Sequence, residues 1–240
     1  MPAGIILALT IAASGDWFGQ GNEAYEAGDY QQAVALYDSA IARVAGGEAY
    51  FNRGNAYFKL GEVGRAIADY LRAYVLKPYD GDIRHNLEYC RMFRPDKKTT
   101  LKNPILAFLT ASLRLLDMRL VRVLTGVLFL MTTGALAMVL IRAGPVWRWF
   151  TVGLGVLCVY GFASWMSWAD MVNPKRAVVV VPEVALRSGP GEDYKEILVV
   201  HDGLEAIIRN RRSNYVLLQV PGGQGGWADT SAIEQVFPTR

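Results

Sequence analysis

The segment Ala49-Tyr-Phe-Asn-Arg-Gly-Asn-Ala-Tyr-Phe-Lys-Leu-Gly61 decides the fold of the first part of this chain. Its pattern of small and aromatic residues occurs twice, at a constant offset of about 33 residues. The equivalent positions of the first copy are Trp17, Gly21, Gly28, Tyr30, Ala33, Tyr37 and Ala40, and those of the second are Tyr50, Gly54, Gly61, Val63, Ala66, Tyr70 and Ala73. Small residues let antiparallel helices approach closely, so each copy predicts a helical hairpin.

The offset matches the period of about 34 residues that is typical of tetratricopeptide (TPR) repeats. We therefore predict an all-α TPR module at residues 16–95, with two repeats and a capping helix. The second repeat ends at Lys77-Pro78, because proline has no amide donor to continue a helix. Residues 82–93 then place apolar side chains on one helical face, namely Ile83, Leu87, Cys90 and Phe93.

The concave face of a TPR module is its usual binding surface. Polar side chains recur at one helical face of the two repeats, and the predicted groove consists of Asn22, Glu26, Asn52, Asn55 and Lys59. Asparagine amides can hydrogen-bond a peptide backbone without requiring a particular sequence. The pattern indicates a protein-binding groove, and the alternative is that these are solvated polar positions.

Hydrophobic residues make up 52% of the chain, which is high for a soluble protein. Two uncharged runs, 123–141 and 149–168, are each long enough to cross a hydrocarbon core of about 30 Å. A short turn with Gly144 and Pro145 separates them, so residues 120–169 are predicted to form a transmembrane hairpin. Because two spans return the chain to its starting side, the parts before and after the hairpin are expected in one compartment.

Two further segments bear on membrane placement. Residues 1–15 resemble the apolar region of a signal peptide, although no basic residue precedes the run. Residues 103–118 are predicted to be an amphipathic interfacial helix or an extension of the first span. Basic residues beside the hairpin indicate membrane lipid as a partner and do not suggest nucleic acid. The signal-like segment favours a periplasmic location in a bacterial inner membrane, whereas the Lys/Arg distribution favours the opposite orientation.

Residues 177–237 change to short β-rich runs separated by turn residues, which predicts a small all-β barrel closed on itself. The five expected strands are 178–181, 196–200, 204–209, 215–220 and 227–228. The stretch Leu186-Arg-Ser-Gly-Pro190, together with Tyr194, Gly203 and Gly226-Trp227, resembles the bacterial SH3 (SH3b) pattern. Tyr215 departs from that pattern, which usually has tryptophan there.

The SH3b resemblance implies recognition of cell-wall peptides, including peptidoglycan, or of proteins. The candidate ligand-binding residues are Arg187, Tyr194, Tyr215 and Trp227. Two of them have structural alternatives. Trp227 could pack in the small core, and Arg187 could hold the loop that follows it.

The sequence contains no pattern typical of a catalytic or metal site. His85 and His201 are its only histidines and lie far apart, and the glycine-rich run 222–226 leads into a strand rather than a helix. We therefore predict a non-enzymatic protein without catalytic residues, metal or cofactor.

The order of a signal-like segment, TPR pair, membrane hairpin and SH3b domain resembles BatE-type proteins of Bacteroides aerotolerance operons. The most similar stretches are 49–61, 83–89 and Pro95-Asp96. This resemblance implies action beside von Willebrand A-domain membrane proteins and a MoxR-type AAA+ ATPase in envelope stress tolerance. Two classes of function follow: a multi-domain membrane adaptor that uses its TPR groove, or an envelope sensor that binds the cell wall through the SH3b domain.

Overall fold

The computed structural model describes residues 16–44, 46–96, 112–114, 116–142 and 144–237. These fall into two compact units: residues up to 97 together with those from 174 onward form one, and residues 98–173 form the other. The signal-like segment at 1–15 and most of the amphipathic helix predicted at 103–118 lie outside the described residues.

The described residues in the N-terminal part of the first unit form five helices, which confirms the predicted TPR-like helical module. Aspartates at positions 16, 29 and 80 begin three of them, because each carboxylate accepts a hydrogen bond from an amide of the first turn. The helices are α1 (Trp17–Glu26), α2 (Tyr30–Arg43), α3 (Gly47–Lys59), α4 (Val63–Leu76) and α5 (Gly81–Met92).

Glycines let the two helices of each repeat pack closely. A Cβ atom placed on Gly21 would lie 2.6 Å from the Tyr37 ring, and one on Gly54 would lie 2.9 Å from the Tyr70 ring. Both tyrosines are buried, at 1% and 2% exposure. Of the residues predicted to face the core from the capping helix, Ile83, Leu87 and Cys90 are buried, but Phe93 is half exposed.

The C-terminal part of the first unit is an antiparallel sheet of seven strands, two more than the sequence pattern indicated. Its order is β3-β2-β6-β5-β4-β1-β7. The strands are β1 (Arg176–Val179), β2 (Glu183–Arg187), β3 (Glu196–His201), β4 (Glu205–Arg212), β5 (Tyr215–Gln219), β6 (Gly225–Asp229) and β7 (Ile233–Gln235).

The prediction of a closed barrel was wrong. Among the described residues, no hydrogen-bonded pairing joins the end strands β3 and β7, so the sheet stays open. The β7 end is instead covered by α4, whose Arg72 donates to the carbonyls of Gln235 and Val236 at 2.9 Å each. A covered edge does not need a partner strand.

The helical module and the sheet are held together by close backbone approach. A Cβ on Gly64 would lie 2.1 Å from the Val179 carbonyl oxygen, so only glycine fits there without movement. The Gly64 amide donates to the Asp202 carboxylate at 3.0 Å, although residue 202 belongs to the β3–β4 turn. Asp202 therefore caps α4, whose own N-cap residue, Glu62, makes no side-chain cap bond.

Charged side chains add to this interface. Arg91 donates to both carboxylate oxygens of Glu205, at 2.8 and 3.0 Å, and Arg94 and Arg176 approach the same carboxylate at 3.4 and 3.3 Å. Burial alone would raise the pKa of Glu205, but the three guanidinium groups lower it below its ordinary value. Glu205 is thus held ionised between helix α5 and the sheet.

The second unit contains the helices α6 (Met118–Arg142) and α7 (Pro145–Met171). Both are long and apolar enough to cross a membrane, and only 6% and 11% of their apolar windows are buried. The described residues just before α6 pack on α7. Trp168 is fully buried and donates to the Leu116 carbonyl at 2.9 Å, and Tyr160 donates to the Ser112 carbonyl at 2.7 Å.

Candidate protein-binding groove

The predicted groove residues of the first repeat are organised around Asn22. Its side-chain oxygen accepts two hydrogen bonds at 2.8 Å, one from the Tyr37 hydroxyl and one from the Asn52 amide of the next repeat. Asn22 therefore links three helices, α1, α2 and α3.

The second repeat copies this arrangement one step along the solenoid. The Asn55 oxygen accepts from the Tyr70 hydroxyl at 2.7 Å and from the Asn86 amide of α5 at 2.9 Å. Asn86 was not among the predicted groove residues. It lies 34 positions after Asn52, so the repeat period itself could have identified it.

These side chains border a cavity of about 240 Å³ on the helical module. It is lined by Asn22, Tyr25, Glu26, Tyr37, Asn52 and Asn55. The structure thus brings four of the five predicted groove residues together, whereas the fifth, Lys59, is exposed and does not line the cavity. Burial raises the pKa of Tyr37 to about 12, so its hydroxyl stays a donor to Asn22 at neutral pH.

At the end of the helical module, aromatic residues occupy the positions that are equivalent to polar groove residues of the second repeat. Tyr89 and Phe93 follow Asn55 and Lys59 by 34 residues, and their ring centroids are 5.0 Å apart in an edge-to-face contact. Phe58 contacts both rings, and Tyr89 and Phe93 are 41% and 52% exposed. The module therefore combines amide groups at its first two repeats with aromatic groups at its end.

A charged cluster on α3 and α4 supports the module from within. Asp69 is completely buried and accepts hydrogen bonds from Arg53, at 2.6 and 2.7 Å, and from Arg72, at 2.8 Å. Arg53 also stacks on the rings of Tyr50 and Tyr57. These residues are satisfied by one another, which gives them a structural role that the sequence pattern did not reveal.

The second predicted set lies on the sheet. Arg187 pairs with Trp227 across β2 and β6, and Trp227 pairs with Leu217 of β5, two residues from Tyr215. Trp227 and Tyr215 are partly exposed, and their neighbours Ala228 and Val216 fill the core instead. These pairings place Arg187, Trp227 and Tyr215 on the face opposite the core.

Arg187 also has the loop-holding role considered as an alternative. Its guanidinium donates to the carbonyls of Glu192 and Tyr194, at 2.7 and 3.0 Å, and pairs with Glu196 at 3.0 Å. Tyr194 packs over Gly189, where an added Cβ would lie 2.3 Å from its ring.

One histidine has a carboxylate partner that the sequence did not indicate. The His201 ring nitrogen Nδ1 lies 3.0 Å from Asp96, which also accepts from the His201 backbone amide at 2.7 Å. In the part of the chain that the structure describes, no group of three or more His, Cys, Asp or Glu side chains could hold a metal ion.

Comparison with known proteins agrees with the helical geometry. Residues 18–81 match the tetratricopeptide repeat family. A search of curated proteins found no match. The chain therefore contains TPR repeats, which in general serve protein–protein interaction and are not catalytic.

Proposed function

We propose that this chain is a membrane-anchored adaptor that binds a segment of a partner protein in its TPR groove. The observation that carries this proposal is the pair of fixed asparagines, Asn22 and Asn55. Each is oriented by two hydrogen bonds to its side-chain oxygen. Within the described residues neither amide nitrogen has a hydrogen-bond partner, so both NH2 groups are available at the cavity to donate to peptide carbonyls.

The same geometry supplies a variant that separates binding from folding. In Asn22→Asp/Asn55→Asp each side chain keeps an oxygen to accept from tyrosine and asparagine, but it loses the amide donors and gains negative charge. We expect partner capture to fall at least tenfold, while the melting temperature of the full chain changes by less than about 3 °C.

Capture is best measured in cells, with a photo-crosslinking residue at Glu26, which is exposed and lines the cavity. The matched control places the same residue at Ala35, an exposed position of α2 outside the cavity lining. A partner that crosslinks from position 26, but not from 35, and is lost in the double variant supports the groove. Equal crosslinking from both positions, or no effect of the double variant, contradicts it.

Membrane anchoring is supported by α6 and α7, whose apolar side chains are mostly exposed to the surroundings. The core helix of a soluble protein would bury most of such a surface. Resistance of the full chain to extraction from membranes by alkaline carbonate tests this part of the proposal. Release into the soluble fraction would refute it.

The compartment and the partners are also proposed. The signal-like N-terminal segment favours placing the TPR module and the sheet in the periplasm, and protease digestion of intact spheroplasts tests this. The resemblance to BatE-type proteins suggests von Willebrand A-domain membrane proteins and a MoxR-type ATPase as the first partners to examine. The ATPase could be contacted directly only from a cytoplasmic groove, so digestion of the TPR module in intact spheroplasts would exclude it as a direct partner.

A second candidate function is recognition of the cell wall by the sheet, in keeping with the SH3b resemblance. The observation that favours it is the position of Trp227, which lies outside the core and beside Arg187. Binding of the full chain to purified peptidoglycan, lowered by Trp227→Leu but not by Asn22→Asp/Asn55→Asp, would favour this function over the adaptor.

A further inference from the structure

A second cavity lies on the first unit, at the end of the sheet where the chain enters β1. Its volume is about 270 Å³, and it is lined by Pro174, Lys175, Ile208, Arg209, Asn210, Arg211 and Gln235. Three of these side chains, at 175, 209 and 211, are basic and exposed, and none is acidic. The cavity therefore suits an anionic group.

The backbone around this cavity is fixed. The Ile208 amide donates to the Lys175 carbonyl at 2.7 Å, and the Gln235 side chain donates to the Pro174 carbonyl. Through these bonds, β4 and β7 hold the segment at 174–175 in place. The basic side chains are thus presented from a defined site and not from a loose tail.

The arginines of the cavity are not neutralised within the described residues. Arg209 donates to the Gln219 side chain at 2.6 Å, and Arg211 donates to that of Gln235, so both partners are neutral amides. This differs from the interface with the helical module, where Arg72 and Arg91 each pair with a carboxylate. The charges of these two arginines are therefore available to an anionic ligand.

The position of the cavity along the chain indicates the source of that ligand. Pro174 follows Met171, the last residue of α7, by three positions. Three residues span at most about 10 Å. If α7 crosses the membrane, as proposed above, the cavity is tethered within reach of the lipid headgroups at the end of that span.

We propose that Lys175, Arg209 and Arg211 form a binding site for the phosphate of an anionic membrane lipid. This inference rests on the proposed membrane anchoring. The site would hold the sheet against the membrane surface and make its attachment depend on anionic lipid and on salt.

The test uses the full chain in mild detergent, titrated with phosphatidylglycerol and, in parallel, with neutral phosphatidylcholine, with bound lipid counted by native mass spectrometry. The variant is Arg209→Gln/Arg211→Gln. Each basic residue near an anionic lipid surface contributes about fivefold in affinity, so we expect phosphatidylglycerol to bind the variant about 25-fold more weakly. Phosphatidylcholine binding should not change.

The control variant is Arg84→Gln/Lys195→Gln, which removes two exposed charges at other places. Arg84 lies on α5, and Lys195 precedes β3 at the far end of the strand order. We expect its phosphatidylglycerol affinity to stay within twofold of the wild type. Unchanged melting temperatures of both variants show that the comparison concerns binding.

Unchanged phosphatidylglycerol binding by Arg209→Gln/Arg211→Gln would overturn the inference. It would also be overturned if soluble glycerophosphoglycerol competed at the lipid's own concentration, because the site would then take a free anion. Failure of membrane anchoring is recognised separately, by carbonate extraction. If the full chain resists carbonate extraction and Arg209→Gln/Arg211→Gln binds phosphatidylglycerol as tightly as the wild type, the proposed membrane anchoring stands and this lipid site does not exist.

Discussion

Replacing Glu205 with glutamine probes the contact between the helical module and the sheet. The Glu205 side chain is 15% exposed and is surrounded by three arginines, whose side chains are 16–22% exposed. Glutamine has nearly the same shape but no charge, and it can accept through only one oxygen. The substitution therefore leaves three partly buried cations without their shared counter-ion.

The expected cost follows from the number and type of bonds lost. Hydrogen bonds to charged groups contribute about 1.5–3 kcal/mol each, and breaking a buried ion pair by removing one partner costs about 3–5 kcal/mol. Because glutamine keeps one acceptor, we expect the free energy of unfolding to fall by about 2–4 kcal/mol. For a unit of this size that lowers the melting temperature by about 6–12 °C.

The assay is thermal unfolding of the full chain in detergent, followed by circular dichroism at several pH values. The pKa of Glu205 is lower in the folded protein than its unfolded value of about 4.3. Its contribution is therefore fully present above that value and is lost as the pH falls through the folded pKa. The difference between wild type and Glu205→Gln should be constant near neutrality and should shrink in acid.

The control is Glu183→Gln, which removes an exposed carboxylate at the start of β2 in the same sheet. We expect its melting temperature to stay within about 2 °C of the wild type. If Glu205→Gln behaves like Glu183→Gln, or if its effect does not diminish in acid, the carboxylate does not hold the helical module to the sheet and the reasoning fails.

Two further substitutions test the packing. In the same thermal unfolding assay, Gly64→Ala should destabilise the chain by about 2–3 kcal/mol, because the added Cβ clashes with the Val179 carbonyl even though alanine favours a helix. The control is Gly81→Ala, where the added Cβ meets open space. It should be neutral or stabilising by up to about 1 kcal/mol. Tyr70→Phe should lower the free energy of unfolding in urea by about 1 kcal/mol, because it removes the hydroxyl donor to Asn55 but keeps the ring. Tyr70→Ala should lower it by about 3–4 kcal/mol. Equal costs of the two variants would show that the hydroxyl, and not the packing of the ring, is decisive.

The helical module was predictable because its contacts are local and repeat. Gly21 and Gly54 contact Tyr37 and Tyr70 within one repeat, so the spacing that identifies the repeat also contains the packing. Counting one further repeat period from Asn52 also identifies Asn86 as a residue of this hydrogen-bond pattern. The predicted groove could be assembled from sequence for this reason, although the hydrogen bonds that fix Asn22 and Asn55 could not.

The interface with the sheet could not be predicted in this way. Arg91 and Glu205 are 114 residues apart in sequence, and Gly64 and Asp202 are 138 residues apart. Neither pair belongs to a period or motif, and a charged residue on a helix is usually solvated. The one available signal was Gly64 itself, since the equivalent residue of the first repeat is Gln31 and the repeat has no need of glycine there.

Closure of the sheet was predicted wrongly for a related reason. A domain of this size with short strands was expected to remove its own edges by closing. In this chain the β7 end is covered by α4 and by the guanidinium of Arg72, a residue about 160 positions earlier. The residues of the strands themselves do not indicate that a helix distant in sequence covers the sheet edge.

The contacts between the helical module and the sheet also constrain the membrane topology. Gly64 and Asp202 lie on opposite sides of α6 and α7 along the chain, yet they share a hydrogen bond. If one of the two helices crossed a membrane and the other did not, these residues would face different compartments and could not meet. Only zero or two crossings by these helices are compatible with the contact. The proposed transmembrane hairpin makes two crossings and therefore satisfies this condition, and the argument from the contact is independent of the Lys/Arg distribution and of residues 1–15.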